Sequence, residues 1–113
     1  MTTLVIEHES LAREITFTKG AMTVLLDDGR QVSVPLVWYP RLLHGSPAER
    51  QNYEFIGDGE GIHWPDLDED ISVEGILAGI ASQESEMSLD AWLGKRNKRR
   101  QAPLSHMARG KAR

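Results

Sequence analysis

The sequence predicts a small α+β domain: an antiparallel β-meander with short helices packed on it, then a C-terminal helix and a disordered basic tail. Three observations predict it. Apolar and polar residues alternate over residues 15–34, the period of a strand with one buried face. Asp28-Gly29 interrupts that alternation where a hairpin must turn. Ser46-Pro47-Ala48-Glu49 has the pattern of a helix start, with Ser at the cap, Pro in the first helical position and Glu three residues after the cap.

In chain order, Leu4 to Glu7 form a candidate first strand. Ile15 and Phe17 alternate with Thr16 and Thr18, and Lys19-Gly20 marks a turn. Met22, Val24 and Leu26 then alternate with Thr23 and Leu25, and after Asp28-Gly29 Val32 and Val34 alternate with Gln31 and Ser33. A type I′ turn, with positive φ at both central residues, is the expectation there. Pro35 ends the ladder because it has no N–H to donate. Leu36, Val37, Trp38, Leu42 and Leu43 suit short helices or turns, which Pro40 keeps from becoming one long helix. A one- to two-turn helix is expected over residues 47–52. Tyr53-Glu54-Phe55-Ile56 and Ile62-His63-Trp64 read as a strand pair joined by the turn Gly57-Asp58-Gly59-Glu60-Gly61. The run Asp66-Leu67-Asp68-Glu69-Asp70 reads as an acidic linker into a helix over residues 71–80, capped by Asp70 or Ser72. Gly75 and Gly79 keep that helix short. Leu89, Trp92 and Leu93, after Ser88, have the spacing of a small amphipathic helix. The expected organisation is a domain over residues 1–80, a linker and short helix over 81–94, and a tail over 95–113.

Composition narrows the function classes. The chain has 113 residues and a formal net charge of −4. Eight of its 13 basic residues and none of its 17 acidic residues lie in 95–113, so residues 1–94 carry five basic and 17 acidic residues, a balance of −12. The absence of cysteine excludes a disulfide scaffold, a Cys nucleophile and a zinc-thiolate site. No apolar run approaches the roughly 18 residues of a membrane helix, and no secretory signal pattern opens the chain, so a cytoplasmic location is expected.

Two stretches carry a family resemblance. They are Val34-Pro35-Leu36-Val37-Trp38-Tyr39-Pro40-Arg41-Leu42 and the run from Gly59 to Gly79 that contains Gly61-Ile62-His63-Trp64-Pro65-Asp66. With the preceding hairpin they resemble the domain-of-unknown-function family 2442 over roughly residues 3–80. That family is bacterial, small and α+β, without an established reaction. Its members stand alone, are fused to a helix-turn-helix domain, or are encoded beside a small putative toxin. The resemblance therefore implies an antitoxin-like or regulatory role. No helix-turn-helix is expected after residue 80, in contrast to the fused members.

Several residue sets are candidates for chemistry. Asp66, Asp68 and Asp70 have the 1-3-5 spacing of an EF-hand loop, but the sixth position is Ile71 and the twelfth Leu77, so the motif fails. The plainer reading places these acids at a helix N-terminus. The glycine-rich turn carries Asp58 and Glu60 and no lysine, which suits a hairpin rather than a phosphate cradle. His63 with Asp66 or Asp68 has the elements of an acid–base pair, yet no nucleophile stands in a recognisable elbow. No metal, cofactor or catalytic residue is assigned.

Trp38, Tyr39, Arg41, His63 and Trp64, with Asp66, Asp68 and Asp70, form the candidate partner-binding set, since Trp, Tyr and Arg are enriched at interface hot spots. The plainer reading puts the two Trp rings in the core. Lys95, Arg96, Lys98, Arg99 and Arg100 form a candidate nucleic-acid contact driven by phosphate neutralisation. The leading expectation is a non-enzymatic module that binds a protein, either toxin-like or a second copy. A non-specific nucleic-acid binder through the tail is the alternative, and an enzyme using His63 and the nearby carboxylates is a third. No membrane partner is expected, and the oligomeric state is not legible.

Overall fold

The computed structural model describes residues 10–111, with side chains through Lys98. The strand expected from Leu4 to Glu7 lies outside the described residues. The chain divides into two compact units, one ending at Ser82 and the other beginning at Gln83.

The first unit holds two antiparallel three-stranded sheets. In the first, β1 (Ala12–Thr18), β2 (Ala21–Leu26) and β3 (Gln31–Pro35) are ordered as a meander. Alternation buries Met22, Val24 and Leu26 from β2, together with Ile15 and Val34 from its neighbours. A bulge between Ala12 and Glu14 puts Ala12 on the same buried side as Ile15 despite their odd spacing.

The β2–β3 hairpin forms where expected, but its turn is not type I′. Only Gly29 has positive φ (94°); Asp28 does not. Gly29 N–H donates to the Leu26 carbonyl at 3.0 Å, and Leu26 N–H donates to Arg30 at 2.8 Å. This is a three-residue loop closed by one left-handed glycine. Asp28 supports it by accepting from the Arg30 N–H at 3.0 Å and Nε at 2.9 Å.

A 3-10 turn (Leu36–Trp38), α1 (Pro40–Leu43) and α2 (Pro47–Gln51) follow. The capping box at α2 is complete: Glu49 N–H donates to Ser46 Oγ at 3.1 Å, and Ser46 N–H donates to Glu49 Oε1 at 2.8 Å. The second sheet orders β4 (Glu54–Ile56), β5 (Gly61–Trp64) and β6 (Glu69–Ser72). Here the acidic linker is corrected. Residues 65–68 are a turn, and Glu69 to Ser72 pair with β5 instead of leading into a helix. Ile71 is the reason: in extended chain it pairs with Ile62 and is buried on the same face. The acids therefore do not cap a helix.

Helix α3 (Val73–Ala78) starts only at Val73, with Ser72 Oγ accepting from the Gly75 N–H at 2.9 Å. The sheets join along the outer edge of β1. Ala12 N–H donates to the Gly59 carbonyl at 2.8 Å, and Ile15 N–H donates to the Tyr53 hydroxyl at 3.3 Å. Gly59 has φ 115°, and a Cβ there would sit 2.6 Å from the Ala12 carbonyl oxygen, so the join requires glycine.

The second unit contains α4 (Glu86–Lys111), which begins two residues before Ser88. Lys95, Arg96 and Lys98, assigned by composition to the tail, stand on this helix. No helix among the described residues is long and apolar enough to cross a membrane.

Candidate functional site: the acidic face of the second sheet

Strand alternation sorts the second sheet into two faces. Phe55, Ile62 and Ile71 pair across one, and Trp64 shares that face with Ile62. Ile62 and Trp64 are both fully buried. Trp64 satisfies its polar edge as it enters the core: its Nε1–H donates to the Arg50 carbonyl at 3.0 Å. The opposite face carries the row Glu54–His63–Asp70, set side by side by strand register.

His63 Nδ1 lies 2.5 Å from Asp70 Oδ1. That hydrogen bond is the main influence raising the His63 pKa above its ordinary value. The negative charges of Asp70, Glu54 and Asp68 act in the same direction, against a smaller opposing effect of burial.

The β5–β6 turn extends this face. Leu67 points into the core and is fully buried, which leaves Asp66 and Asp68 outside. Asp66 accepts from Asn52 Nδ2 at 2.9 Å. Asp68 adopts a left-handed backbone, φ 52°, and its carboxylate is 88% exposed. Arg41 holds the turn from within. Its Nη1 donates to the Leu67 and Asp68 carbonyls at 3.3 and 3.2 Å and lies 3.6 Å from the Asp68 carboxylate. One nitrogen makes both bonds, since each Nη of a guanidinium carries two protons to donate.

The sequence-proposed binding set is therefore divided. Tyr39 and Trp64 belong to the core. Tyr39 donates its hydroxyl to the Ile80 carbonyl at 3.4 Å, and burial, then the Glu69 charge, pushes its phenol pKa up. Trp38 is half-buried, and its carbonyl accepts from the Ser82 N–H at 2.9 Å. Arg41 organises the turn. His63, Asp68 and Asp70 come together on the outer face, joined by Glu54, which sequence reasoning missed, while Asp66 is exposed and bonded to Asn52. The clue to Glu54 was hairpin register: once the glycine-rich turn is placed, Glu54 falls opposite His63. The histidine's carboxylate partner is Asp70, rather than the expected Asp66 or Asp68, because β6 is a strand.

In the second unit, Lys95, Arg96 and Lys98 lie along α4, and the Arg96 guanidinium sits 4.8 Å from the Trp92 ring centroid. The side chains of Arg99 and Arg100 lie outside the described residues.

Chemically, the His63–Asp70 pair can hold and release a proton, but it lies on an open sheet face. A shallow depression is lined instead by Glu14, Thr16, Thr23, Leu25 and Gln31 of the first sheet. Among the described residues, no three His, Asp or Glu side chains converge as a metal ion requires. The nearby hydroxyl of Ser72 is engaged as the α3 cap.

A family model described as a protein of unknown function (DUF2442) matches residues 12–82. A crystal structure of a protein of unknown function from Rhodospirillum rubrum is 28% identical, with TM-score 0.61, over 71% of this chain and 99% of that one. A solution structure of an uncharacterised Chromobacterium violaceum protein is 21% identical, with TM-score 0.59, over 79% of this chain and 83% of that one, a likeness of fold. No curated protein matches.

Proposed function

The chain belongs to the DUF2442 family, and from that premise we propose that it is a binding or regulatory module, with no reaction of its own, that docks a protein partner on the acidic face of its second sheet. The observation that carries this reading is the way the face is built. Three exposed carboxylates, from Glu54, Asp68 and Asp70, act on His63, and a fourth, Asp66, is exposed in the β5–β6 turn. Arg41 and Leu67 fix that surface from the core side.

Such a face suits a partner presenting lysine or arginine, with association that is fast and salt-sensitive. An antitoxin-like pairing with a small toxin protein is the specific form proposed. The test is co-expression with the product of the neighbouring gene. Co-elution that is lost when Asp66, Asp68 and Asp70 are changed together to Asn supports the reading. Repeated recovery of the chain alone overturns it.

A second reading rests on α4, where three cations stand within four residues and Arg96 stacks on Trp92. Phosphate contact there would be non-specific and would weaken steeply with salt. Nucleic-acid binding that survives truncation after Leu93 would overturn it.

A further inference from the structure

The row Glu54–His63–Asp70 places one titratable cation between two carboxylates on neighbouring strands. Glu54 faces it from β4, Asp70 faces it from β6 at hydrogen-bond distance, and Asp68 adds a third negative charge from the turn. The cation nearest the turn, Arg41, is engaged by the Leu67 and Asp68 carbonyls. The imidazole is 34% exposed, so it exchanges its proton directly with water. The Asp70 carboxylate already accepts as an anion, and gain of that proton adds the attraction of a full ion pair to the bond. It also reduces the negative charge of the face by one.

We propose that this row is a proton-operated latch: protonated His63 ties β5 to β6 and weakens the attraction of the face for a basic partner, and loss of the proton loosens Asp70 and restores that attraction. The effect on the partner rests on the docking reading above; the latch itself does not.

The test is a histidine-resolved NMR titration of the full chain from about pH 5 to pH 9, the range around the ordinary histidine titration. His63→Gln assigns its signal among the four histidines. The expected midpoint for His63 is above the ordinary value of about 6.5, with the Asp70 and Ile71 amides moving at the same midpoint. Asp70→Asn should lower the midpoint more than Glu54→Gln does. A midpoint at or below the ordinary value, or one unmoved by Asp70→Asn, overturns the latch.

Association with the neighbouring gene's product should strengthen as pH rises through the same midpoint and lose that dependence in His63→Gln. Association that does not change across the midpoint overturns the regulatory half. A shifted titration with no association at any pH leaves the latch standing and overturns the docking reading.

Discussion

Arg41 and Asp68 meet through the backbone more than through their charges. The guanidinium Nη1 donates to the Asp68 carbonyl at 3.2 Å, and the carboxylate stands 3.6 Å away and almost fully exposed. Exposed pairs contribute about 0–1 kcal/mol, whereas a charge-assisted bond to a carbonyl contributes about 1.5–3 kcal/mol. Both carbonyls are reached by the one nitrogen Nη1, so Arg41→Ala, which removes it, should destabilise the chain by about 1.5–3 kcal/mol. Denaturant unfolding of the two proteins checks this.

Asp68 separates folding from binding. Its left-handed backbone carries a strain that glycine does not. Asp68→Gly should leave stability within about 1 kcal/mol of the parent, because relief of the left-handed strain is offset by the larger unfolded-state entropy of glycine. The same change should weaken partner association. Thermal unfolding and a binding titration on one preparation read both effects.

Trp64 is a core residue, so its substitution is a test of the fold. Trp64→Ala removes a wholly buried indole and leaves the Arg50 carbonyl without its donor. A loss of about 3–5 kcal/mol is expected, which for a domain of this size approaches complete unfolding. Circular dichroism and chemical denaturation measure it.

The α2 cap offers a graded control away from the acidic face. Ser46→Ala removes the acceptor of the Glu49 N–H and should cost about 1 kcal/mol, with no change in partner binding.

Stability should also depend on pH through His63. Its folded-state pKa is raised, chiefly by the bond to Asp70. Protonation therefore favours the folded state. The contribution is fully present below the unfolded histidine value and is lost as pH rises through the folded value. Asp70→Asn should flatten that part of the profile, as measured by urea midpoints across the neutral range.

The first sheet was readable because its strands each bury one face: Ile15, Met22, Val24 and Val34 stand at period-two positions. The Ser46–Glu49 capping box was equally plain, since both of its bonds are local. The turn at Asp28-Gly29 was harder, because Asp28's own side chain favours a conformation that dipeptide preference does not encode. β6 was hidden for a different reason. Glu69-Asp70 looks like solvated linker, and only the long-range pairing of Ile71 with Ile62 makes it a strand. The candidate site inherits that error, since Asp70 reaches His63 only through β6. Tyr39 and Trp64 showed the types of a contact surface, but their burial depends on tertiary packing that residue type alone does not reveal.

The docking face is tested most directly by amide chemical-shift mapping of the full chain titrated with the neighbouring gene's product. Perturbations centred on Glu54, His63 and Asp66 to Asp70, and abolished by the Asp66, Asp68 and Asp70 to Asn triple variant, are the predicted result. Perturbations confined to the first sheet or to α4, with the second sheet silent, would contradict it.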